Sequence, residues 1–334
     1  MTVTAREIHL KSRPEGLPTQ DNFELVERRL EEPREGQLLV RNLWMSVDPY
    51  MRGRMRDRKS YIPPFQIGQP LDGNAVGIVE ASTVPGFAPG DRVSHFTGWR
   101  DYALVDAKGA TRIDEKVAPL QAFLGPLGVP GFTAYIGLEL AKAQAGNTVF
   151  VSGAAGAVGV IACQIARIKG CKVIASAGSD EKIAWLRDKA GVDGTINYRT
   201  AGNFEEALAK VSPNGIDVYF DNVGGAQLDA ALGVANDFAR FALCGMIEQY
   251  NDEAPPPGPR NMFQAVLKRL TLQGFLVTDY LKRMPEFTRE MAQWIADGKI
   301  QSPETVVKGL ELAPKAFLGL FSGDNLGKML VDLR

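Results

Sequence analysis

The stretch from Val149 to Lys182, VFVSGAAGAVGVIACQIARIKGCKVIASAGSDEK, decides the fold. An apolar run leads into a turn of small residues, then a helical pattern and a second apolar run. In the turn, Ala154, Gly156 and Gly159 occupy the three positions of a dinucleotide-binding fingerprint, with Ala replacing the first glycine. Since this motif follows a predicted strand and opens a predicted helix, it predicts a pyrophosphate site rather than a merely structural turn.

The end of the second apolar run indicates which dinucleotide is bound. A site for NAD usually offers Asp or Glu to the ribose 2′-hydroxyl here, but this sequence offers Ser176, Ala177 and Gly178. Lys182 follows within the first turn of the next helix, and an ammonium beside a small loop accepts a 2′-phosphate. These residues favour NADP. Because two acidic residues precede Lys182, a solvated helix lysine is the alternative interpretation.

Length and composition limit the class of protein. A chain of 334 residues exceeds what one core usually supports, which predicts two domains. A hydrophobic content of 45%, a charged content of 23% and a net charge of -1 are typical of a soluble protein and do not favour nucleic acid as a partner. The three cysteines, Cys163, Cys171 and Cys244, are too scattered for a disulfide framework, which favours a reducing, cytoplasmic setting.

Two segments bear on membranes and secretion. The first ten residues carry charges and no apolar core, so no signal peptide is expected. Val117–Leu138 has no charge over a membrane-spanning length, but its prolines and glycines would interrupt a spanning helix. We expect a buried loop followed by a core helix there, and no membrane is required.

The first third of the chain differs in pattern from the middle. From Glu7 to about Ala122, short strand-like runs alternate with Gly and Pro, which predicts a small antiparallel barrel or sandwich. Beyond Gly131, a helix expected to end at Gly146 is followed by alternating strands and helices, which predicts a doubly wound parallel sheet.

The final stretch of the chain returns to mixed helix and strand. We expect it to complete the first domain, which would then be discontinuous. The predicted domains are residues 1–122 with 308–334, and residues 123–307 for the nucleotide-binding domain.

Candidate residues for several common chemistries are missing from the sequence. The chain has two histidines, His9 and His95, and no CxxC motif, so we expect no catalytic zinc and no other metal. The sequence contains no GxSxG elbow, and a serine hydrolase is unsupported. We interpret His95 as a buried barrel residue rather than a general base.

Tyr250 is the candidate for polarising a carbonyl without a metal. It follows the strand-like run RFALCG, and ligands of such sheets lie beyond the carboxyl ends of the strands. A tyrosine hydroxyl can donate to a developing enolate oxygen. A tyrosine that packs on the following Pro-rich loop is the alternative.

Several segments together resemble a known family. They read SVDPYMRGRM, GVPGFTAYIGL, AAGAVG, KGCKVIASAGSDEK, FDNVGG, CGMIEQYN and NLGKMLV, and they span nearly the whole chain. The chain resembles the zinc-independent branch of the medium-chain dehydrogenase/reductases. Within it, the resemblance is to the leukotriene B4 dehydrogenase, prostaglandin reductase and alkenal double-bond reductase group, most of all to the bacterial curcumin reductases.

The resemblance implies a fold and a cofactor site. The fold would be α/β, with a GroES-like β-barrel-type catalytic domain and a Rossmann doubly wound parallel-sheet domain. The cofactor would be NADP(H), with Lys182 and Tyr198 at its 2′-phosphate. The implied cofactor-binding residues are Gly156, Ala157, Val158, Gly159, Lys182, Tyr198, Asn222, Cys244, Gly245, Tyr250, Phe275, Leu276, Val277 and Asn325.

The resemblance also implies an activity, namely NADPH-dependent reduction of the C=C bond of α,β-unsaturated ketones and aldehydes by a homodimer. Tyr250 would stand beside the nicotinamide and the substrate carbonyl, and Tyr50 and Thr133 would line the substrate cleft. A quinone reductase and an NADPH-binding sensor without turnover are the alternatives. Asp72 and Asn74 depart from the family pattern at the start of a barrel strand.

Overall fold

The computed structural model describes residues 3–334, which form two compact units. The first unit holds residues 3–124 together with Glu304–Asn325 and Met329–Arg334. The second unit holds Gly125–Pro303 and Leu326–Lys328. The sequence assigned all of residues 308–334 to the first domain, whereas Leu326–Lys328 lies in the second unit because its backbone is hydrogen-bonded there.

The described residues contain short strands and helices in both units. The strands are Val3–Leu10 (β1), Phe23–Leu30 (β2), Gln37–Ser46 (β3), Ala75–Ser82 (β4), Arg92–His95 (β5), Tyr102–Asp106 (β6), Thr111–Arg112 (β7), Thr148–Val151 (β8), Lys172–Ala177 (β9), Gly194–Asn197 (β10), Ile216–Asp221 (β11), Ala235–Leu243 (β12), Thr271–Gly274 (β13), Glu304–Lys308 (β14) and Lys328–Asp332 (β15). The α-helices are Met51–Arg54 (α1), Val129–Leu140 (α2), Ala157–Ile168 (α3), Asp180–Asp188 (α4), Phe204–Val211 (α5), Gly225–Val234 (α6), Gln264–Leu267 (α7), Met284–Ala296 (α8) and Ala313–Ser322 (α9). The 3₁₀ helices are Gln20–Asn22, Ala107–Gly109, Leu120–Leu124, Ile247–Gln249, Arg260–Phe263, Val277–Arg283 and Leu310–Leu312.

The first unit is built on antiparallel strands, as the pattern of short runs predicts. One sheet has the order β14-β15-β3-β4-β5-β7, with β6 also paired to β3, and a smaller sheet joins β1 to β2. Strand β3 is central and nearly every residue in it is buried. Part of the core is aromatic, since the ring of Trp99 stacks on Phe23 at 6.0 Å and meets Phe317 edge-on at 6.2 Å.

The second unit is a doubly wound parallel sheet, which confirms the prediction from the βα alternation. Its six strands have the order β10-β9-β8-β11-β12-β13 and are all parallel. The winding direction reverses between β8 and β11. In open sheets of this kind, ligands lie beyond the carboxyl ends of the strands at such a reversal.

The first helix of the second unit ends earlier than the sequence predicts. The predicted stop at Gly146 is wrong, because α2 ends at Leu140 and Lys142 takes a left-handed conformation (φ 50°). The N–H of Ala143 donates to the carbonyl of Leu138, and the N–H of Lys142 donates to that of Glu139. These two bonds form a Schellman motif, which usually has glycine at the left-handed position.

The uncharged segment Val117–Leu138 forms the 3₁₀ helix Leu120–Leu124 and most of α2, whose residues are largely buried. This arrangement agrees with the expected buried loop and core helix. Across residues 3–334, the helices are all too short or too polar to cross a membrane.

Candidate functional site

The turn between β8 and α3 lies where the winding of the parallel sheet reverses. Its left-handed residue is Gly153 (φ 56°), not Ala154, to which the sequence assigned the first fingerprint position. Because Ala154 is outside the left-handed region, a Cβ is tolerated there. The N–H of Ala154 donates to the carbonyl of Ser176 at 2.9 Å, which joins the turn to the end of β9.

The start of α3 provides a set of backbone donors. Gly156 precedes the helix, and Gly156, Ala157 and Val158 are only half-buried. The first N–H groups of a helix have no intrahelical acceptor, so they are available to an anion. Gly159 is buried, and a Cβ on it would lie 2.6 Å from the Cα of Ala154. A larger residue at 159 would therefore push the helix away from the turn.

A segment near the end of the chain closes on this turn. The N–H of Gly327 donates to the carbonyl of Ala155 at 2.8 Å, and Gly156 and Gly327 form an isolated parallel bridge. Lys328 is anchored beside it, because its N–H donates to the carbonyl of Pro303 at 2.9 Å. The sequence did not predict this contact.

The carboxyl ends of β9 and β10 bring together the residues expected at a ribose 2′-phosphate. The N–H of Tyr198 donates to the carbonyl of Ala177 at 3.1 Å. A Cβ on Gly178 would lie 2.7 Å from Cζ of Tyr198 and 3.3 Å from Nε of Arg199. Lys182 is in the first turn of α4, which Ser179 caps. Gly178, Lys182 and Tyr198 were expected here from the sequence, whereas Arg199, which lies beside Gly178, was not.

The end of β11 carries a buried carboxylate with several donors. Oδ1 of Asp221 accepts hydrogen bonds from the Ser152 hydroxyl (3.0 Å), the Tyr219 hydroxyl (2.7 Å) and the N–H groups of Val223 and Gly224 (both 2.9 Å). Oδ2 of Asp221 has no hydrogen-bond partner among residues 3–334. Burial raises the pKa of the Asp221 carboxyl, while the four donors to it act in the opposite direction.

Asn222 is fixed to the end of β8, on the other side of the reversal. Its N–H donates to the Ser152 hydroxyl at 2.9 Å, and its Nδ2 donates to the Ser152 carbonyl at 2.8 Å. Ser152 therefore links β8 to the turn after β11 through both its side chain and its backbone. This linkage holds the predicted residue Asn222 next to the fingerprint turn.

The turn after β12 holds Cys244, Gly245 and Tyr250. The N–H groups of Cys244 and Gly245 both donate to the carbonyl of Asp221, at 2.8 and 3.0 Å. The chain then forms the 3₁₀ helix Ile247–Gln249 and folds Tyr250 back, so that its hydroxyl accepts a 3.4 Å hydrogen bond from the N–H of Met246. Burial raises the pKa of the Cys244 thiol to about 12, which keeps it protonated.

Phe275 and Thr133 are linked through α2. The rings of Phe275 and Phe220 meet edge-on, with centroids 6.4 Å apart. A Cβ on Gly137 would lie 2.8 Å from Cζ of Phe275, so α2 packs directly on this ring. Thr133 lies one turn before Gly137 on the same face of α2. Leu276 and Val277 follow Phe275 at the start of the 3₁₀ helix Val277–Arg283.

Tyr50 and Asn325 belong to the first unit. The hydroxyl of Tyr50 is buried without a hydrogen-bond partner among the described residues, and burial followed by the nearby Asp48 raises its pKa well above the ordinary value. Asn325 is also buried. The unusual residue Asp72 forms an ion pair with Arg54, whose guanidinium lies over the ring of Phe65 at 4.0 Å.

His95 is a buried residue of the first unit, as interpreted from the sequence. Its Nδ1 accepts a hydrogen bond from the N–H of Thr97 at 3.0 Å. Burial, followed by the charge of Arg100, lowers its pKa to about 3, so the ring stays neutral. Within the chain from residue 3 onward, no group of three or more His, Cys, Asp or Glu side chains is placed to hold a metal ion.

Comparisons with known sequences cover both units. A family described as the N-terminal domain of oxidoreductase matches residues 6–113, and a family described as zinc-binding dehydrogenase matches residues 157–297. The chain is 42% identical to the NADPH-dependent curcumin reductase of Escherichia coli (strain K12), over 96% of this chain and 95% of that protein. It is also 42% identical to the 2-alkenal reductase (NADP(+)-dependent) of Nicotiana tabacum, over 98% of this chain and 97% of that protein.

A comparison with solved structures gives a similar result. The structure of CurA from Vibrio vulnificus in complex with NADPH superimposes with a TM-score of 0.94 and is 44% identical in sequence. The match covers 98% of this chain and 99% of that one. The similarity therefore includes both units.

Proposed function

Because the chain belongs to the zinc-independent medium-chain dehydrogenase/reductases, in the group of the curcumin, alkenal and prostaglandin reductases, we propose that it is an enone reductase. Its reaction is the NADPH-dependent reduction of the C=C bond of α,β-unsaturated ketones and aldehydes. One observation carries this proposal: the fingerprint turn, the turn after β11 and the turn after β12 meet through hydrogen bonds of Ser152 and Asp221.

The residues present fit the proposed cofactor. The N–H groups at the start of α3 suit a pyrophosphate, and the small loop at Gly178, with Lys182 and Tyr198 beside it, suits a 2′-phosphate rather than a free 2′-hydroxyl. Asn222, Cys244, Gly245 and Tyr250 would lie along the ribose and nicotinamide. The remaining proposed cofactor-binding residues are Gly156, Ala157, Val158, Gly159, Phe275, Leu276, Val277 and Asn325.

In this reaction the protein orients the substrate and the cofactor and stabilises the negative charge that develops on the substrate oxygen. When bound, NADPH supplies the hydride that reduces the β-carbon of the substrate. The hydroxyl of Tyr250 accepts a 3.4 Å hydrogen bond from the N–H of Met246, and as a donor it would hydrogen-bond the substrate oxygen and stabilise the negative charge that develops there. The α-carbon then takes a proton from solvent. Tyr50 and Thr133 are proposed to line the substrate cleft.

The proposal is tested by steady-state oxidation of NADPH, with NADH in parallel. The substrates are an enone, the corresponding saturated ketone and a quinone, each assayed with and without a chelator. We expect reduction of the enone alone, a preference for NADPH, and no effect of the chelator.

Each other result has a definite meaning. Reduction of the saturated carbonyl, or loss of activity with the chelator, would overturn metal-free reduction of the double bond. Faster turnover of the quinone would assign the chain to quinone reduction. Tight NADPH binding without oxidation by any conjugated carbonyl would indicate a sensor.

We also propose that the protein is a homodimer. Five large apolar side chains are exposed by 45 to 68% near the outer strand β13: Phe238, Met262, Phe263, Val266 and Leu267. Contiguous exposed apolar residues of this kind are typical of protein interfaces, and a second copy of the chain would cover them. Light scattering coupled to size exclusion tests this, with Val266→Glu expected to give a monomer; a monomeric wild type would contradict it.

A reducing, cytoplasmic setting is proposed as well. Cys163, Cys171 and Cys244 are all unpaired thiols. Burial raises the pKa of each of them, which suppresses the reactive thiolate form. Fractionation of cells that produce the protein checks the location.

A further inference from the structure

The loop at Gly178 is covered by two side chains from the end of β10. A Cβ on Gly178 would lie 2.7 Å from Cζ of Tyr198 and 3.3 Å from Nε of Arg199. Both side chains therefore fold back over the carboxyl end of β9 instead of extending along their own strand. The guanidinium of Arg199 lies at the position where a 2′-phosphate site is proposed.

Asn197 fixes the backbone of Arg199 and forms a hydrogen bond with the carboxylate of Asp180. Its Oδ1 accepts a 3.1 Å hydrogen bond from the N–H of Arg199. Its carbonyl accepts a 3.1 Å hydrogen bond from the N–H of Thr200, which tightens the turn. Its Nδ2 donates to Oδ1 of Asp180 at 2.7 Å, so one of the acidic groups at the start of α4 is hydrogen-bonded to a neutral amide.

Resting on the proposed NADPH-dependent function, we propose that Arg199 is a specificity-determining residue that binds the 2′-phosphate together with Lys182 and Tyr198. A planar guanidinium presents paired donors that match phosphate oxygens, which an ammonium does not. Gly178 contributes by having no side chain, since any Cβ would displace Tyr198 or Arg199 from the loop. Arg199 thus adds a second positive charge to that of Lys182, which the preceding Asp180 and Glu181 partly offset.

The experiment measures cofactor binding by calorimetry in Arg199→Ala, Arg199→Lys and the wild type. The ligands are NADPH, NADH, and the fragments 2′-phospho-ADP-ribose and ADP-ribose, which need no turnover. The matched control is Arg187→Ala, because Arg187 is exposed and paired with Asp188 near the end of α4.

We expect Arg199→Ala to weaken NADPH and 2′-phospho-ADP-ribose about tenfold to a hundredfold, the usual range for loss of hydrogen bonds to a charged group. Binding of NADH and ADP-ribose should stay within about twofold of the wild type. Arg199→Lys should give an intermediate loss, since it keeps the charge but not the planar donors. Arg187→Ala should change none of the four affinities.

The contrary results are separable from failure of the proposed function. Unchanged NADPH affinity in Arg199→Ala overturns the inference, and so does an equal loss for NADPH and NADH, because that pattern marks a structural role. A wild type that binds NADH as tightly as NADPH overturns the proposed cofactor itself. In that case the inference fails because the wild type has no preference for NADPH, whatever the affinity of Arg199→Ala.

Discussion

The N–H of Gly327 lies 2.8 Å from the carbonyl oxygen of Ala155 and donates a hydrogen bond to it. The acceptor is in the turn that follows β8, and the donor comes from the last ten residues of the chain. The two segments are brought together because Leu326–Lys328 leaves the first unit and packs on the second. The fingerprint turn is thus stabilised by a hydrogen bond from a segment distant in sequence as well as by its own glycines.

Substituting Gly327 tests this support. In Gly327→Ala the new Cβ would lie 2.7 Å from the carbonyl carbon of Pro303, at a residue whose φ is 69°. We expect the free energy of unfolding to fall by about 2 kcal/mol or more, since backbone strain and a clash add together. NADPH affinity should fall with it, as measured by urea unfolding and calorimetry.

Gly146→Ala is the matched control for Gly327→Ala. Gly146 has a φ of 85° but no atom within 4 Å of its Cβ position, so this variant introduces strain without a clash. We expect a loss of about 1 kcal/mol with unchanged NADPH affinity. Equal NADPH binding in Gly327→Ala and the wild type would show that the turn needs no outside support.

The carboxylate of Asp221 is predicted to hold two turns of the site. Asp221→Ala leaves two buried hydroxyls and two backbone N–H groups without their acceptor, and one unsatisfied buried donor alone costs about 1 to 3 kcal/mol. We expect a loss of at least about 3 kcal/mol in urea unfolding. Ser152→Ala, which removes one donor to Asp221 and the acceptor of the Asn222 N–H, should cost less, about 1 to 2 kcal/mol. A smaller loss for Asp221→Ala than for Ser152→Ala would contradict this prediction.

The buried imidazole of His95 predicts a pH dependence of stability. Its pKa is about 3 in the folded chain and about 6.5 when unfolded. Below pH 6.5 the unfolded state binds a proton that the folded state rejects, so stability is present above this pH and falls on acidification. The expected loss is about 1.4 kcal/mol per pH unit, or about 2 kcal/mol by pH 5.

His95→Asn isolates this effect from the titration of the carboxylates, which both proteins share. The difference in unfolding free energy between the wild type and the variant, measured by urea from pH 7.5 to 4.5, should shrink as the pH falls below 6.5. Two curves that remain parallel over this range would show that His95 binds its proton as readily in the folded as in the unfolded protein.

Tyr250→Phe tests the proposed donor to the substrate oxygen. We expect kcat for the enone to fall about a hundredfold, the usual effect of removing one donor to an oxyanion. The Kd for NADPH should change little. Tyr198→Phe is the contrasting variant and should weaken NADPH while preserving kcat at saturation. A Tyr250→Phe enzyme with wild-type kcat would remove Tyr250 from the chemistry.

The sequence was sufficient to predict the features that depend on local pattern. The alternation of apolar runs predicted the parallel sheet, and the small residues at the end of β9 marked the expected 2′-phosphate loop. The end of α2 at Leu140 was missed, because the left-handed Lys142 that follows it has no compositional signal. The left-handed conformation of Gly153 was not predicted, since several small residues in a row do not reveal which one carries the positive φ.

The rest depended on contacts between distant parts of the chain. Nothing in the pattern around Gly327 indicates that it pairs with Gly156. The side chain of Arg199 reaches the loop at Gly178 only because β10 lies next to β9 with Asn197 opposite Ala177. Asp72 looked anomalous in the sequence and is explained by its ion pair with Arg54.

The pairing of Leu330 with Ser46 and the bond from Gly327 to Ala155 join residues separated by long stretches of chain. During synthesis on the ribosome, β3 and the fingerprint turn emerge long before their partners exist. Closing such loops costs entropy before any contact compensates it, which makes these steps late in folding. Both units therefore stay incomplete in the nascent protein until the segment Leu326–Asp332 has been synthesised.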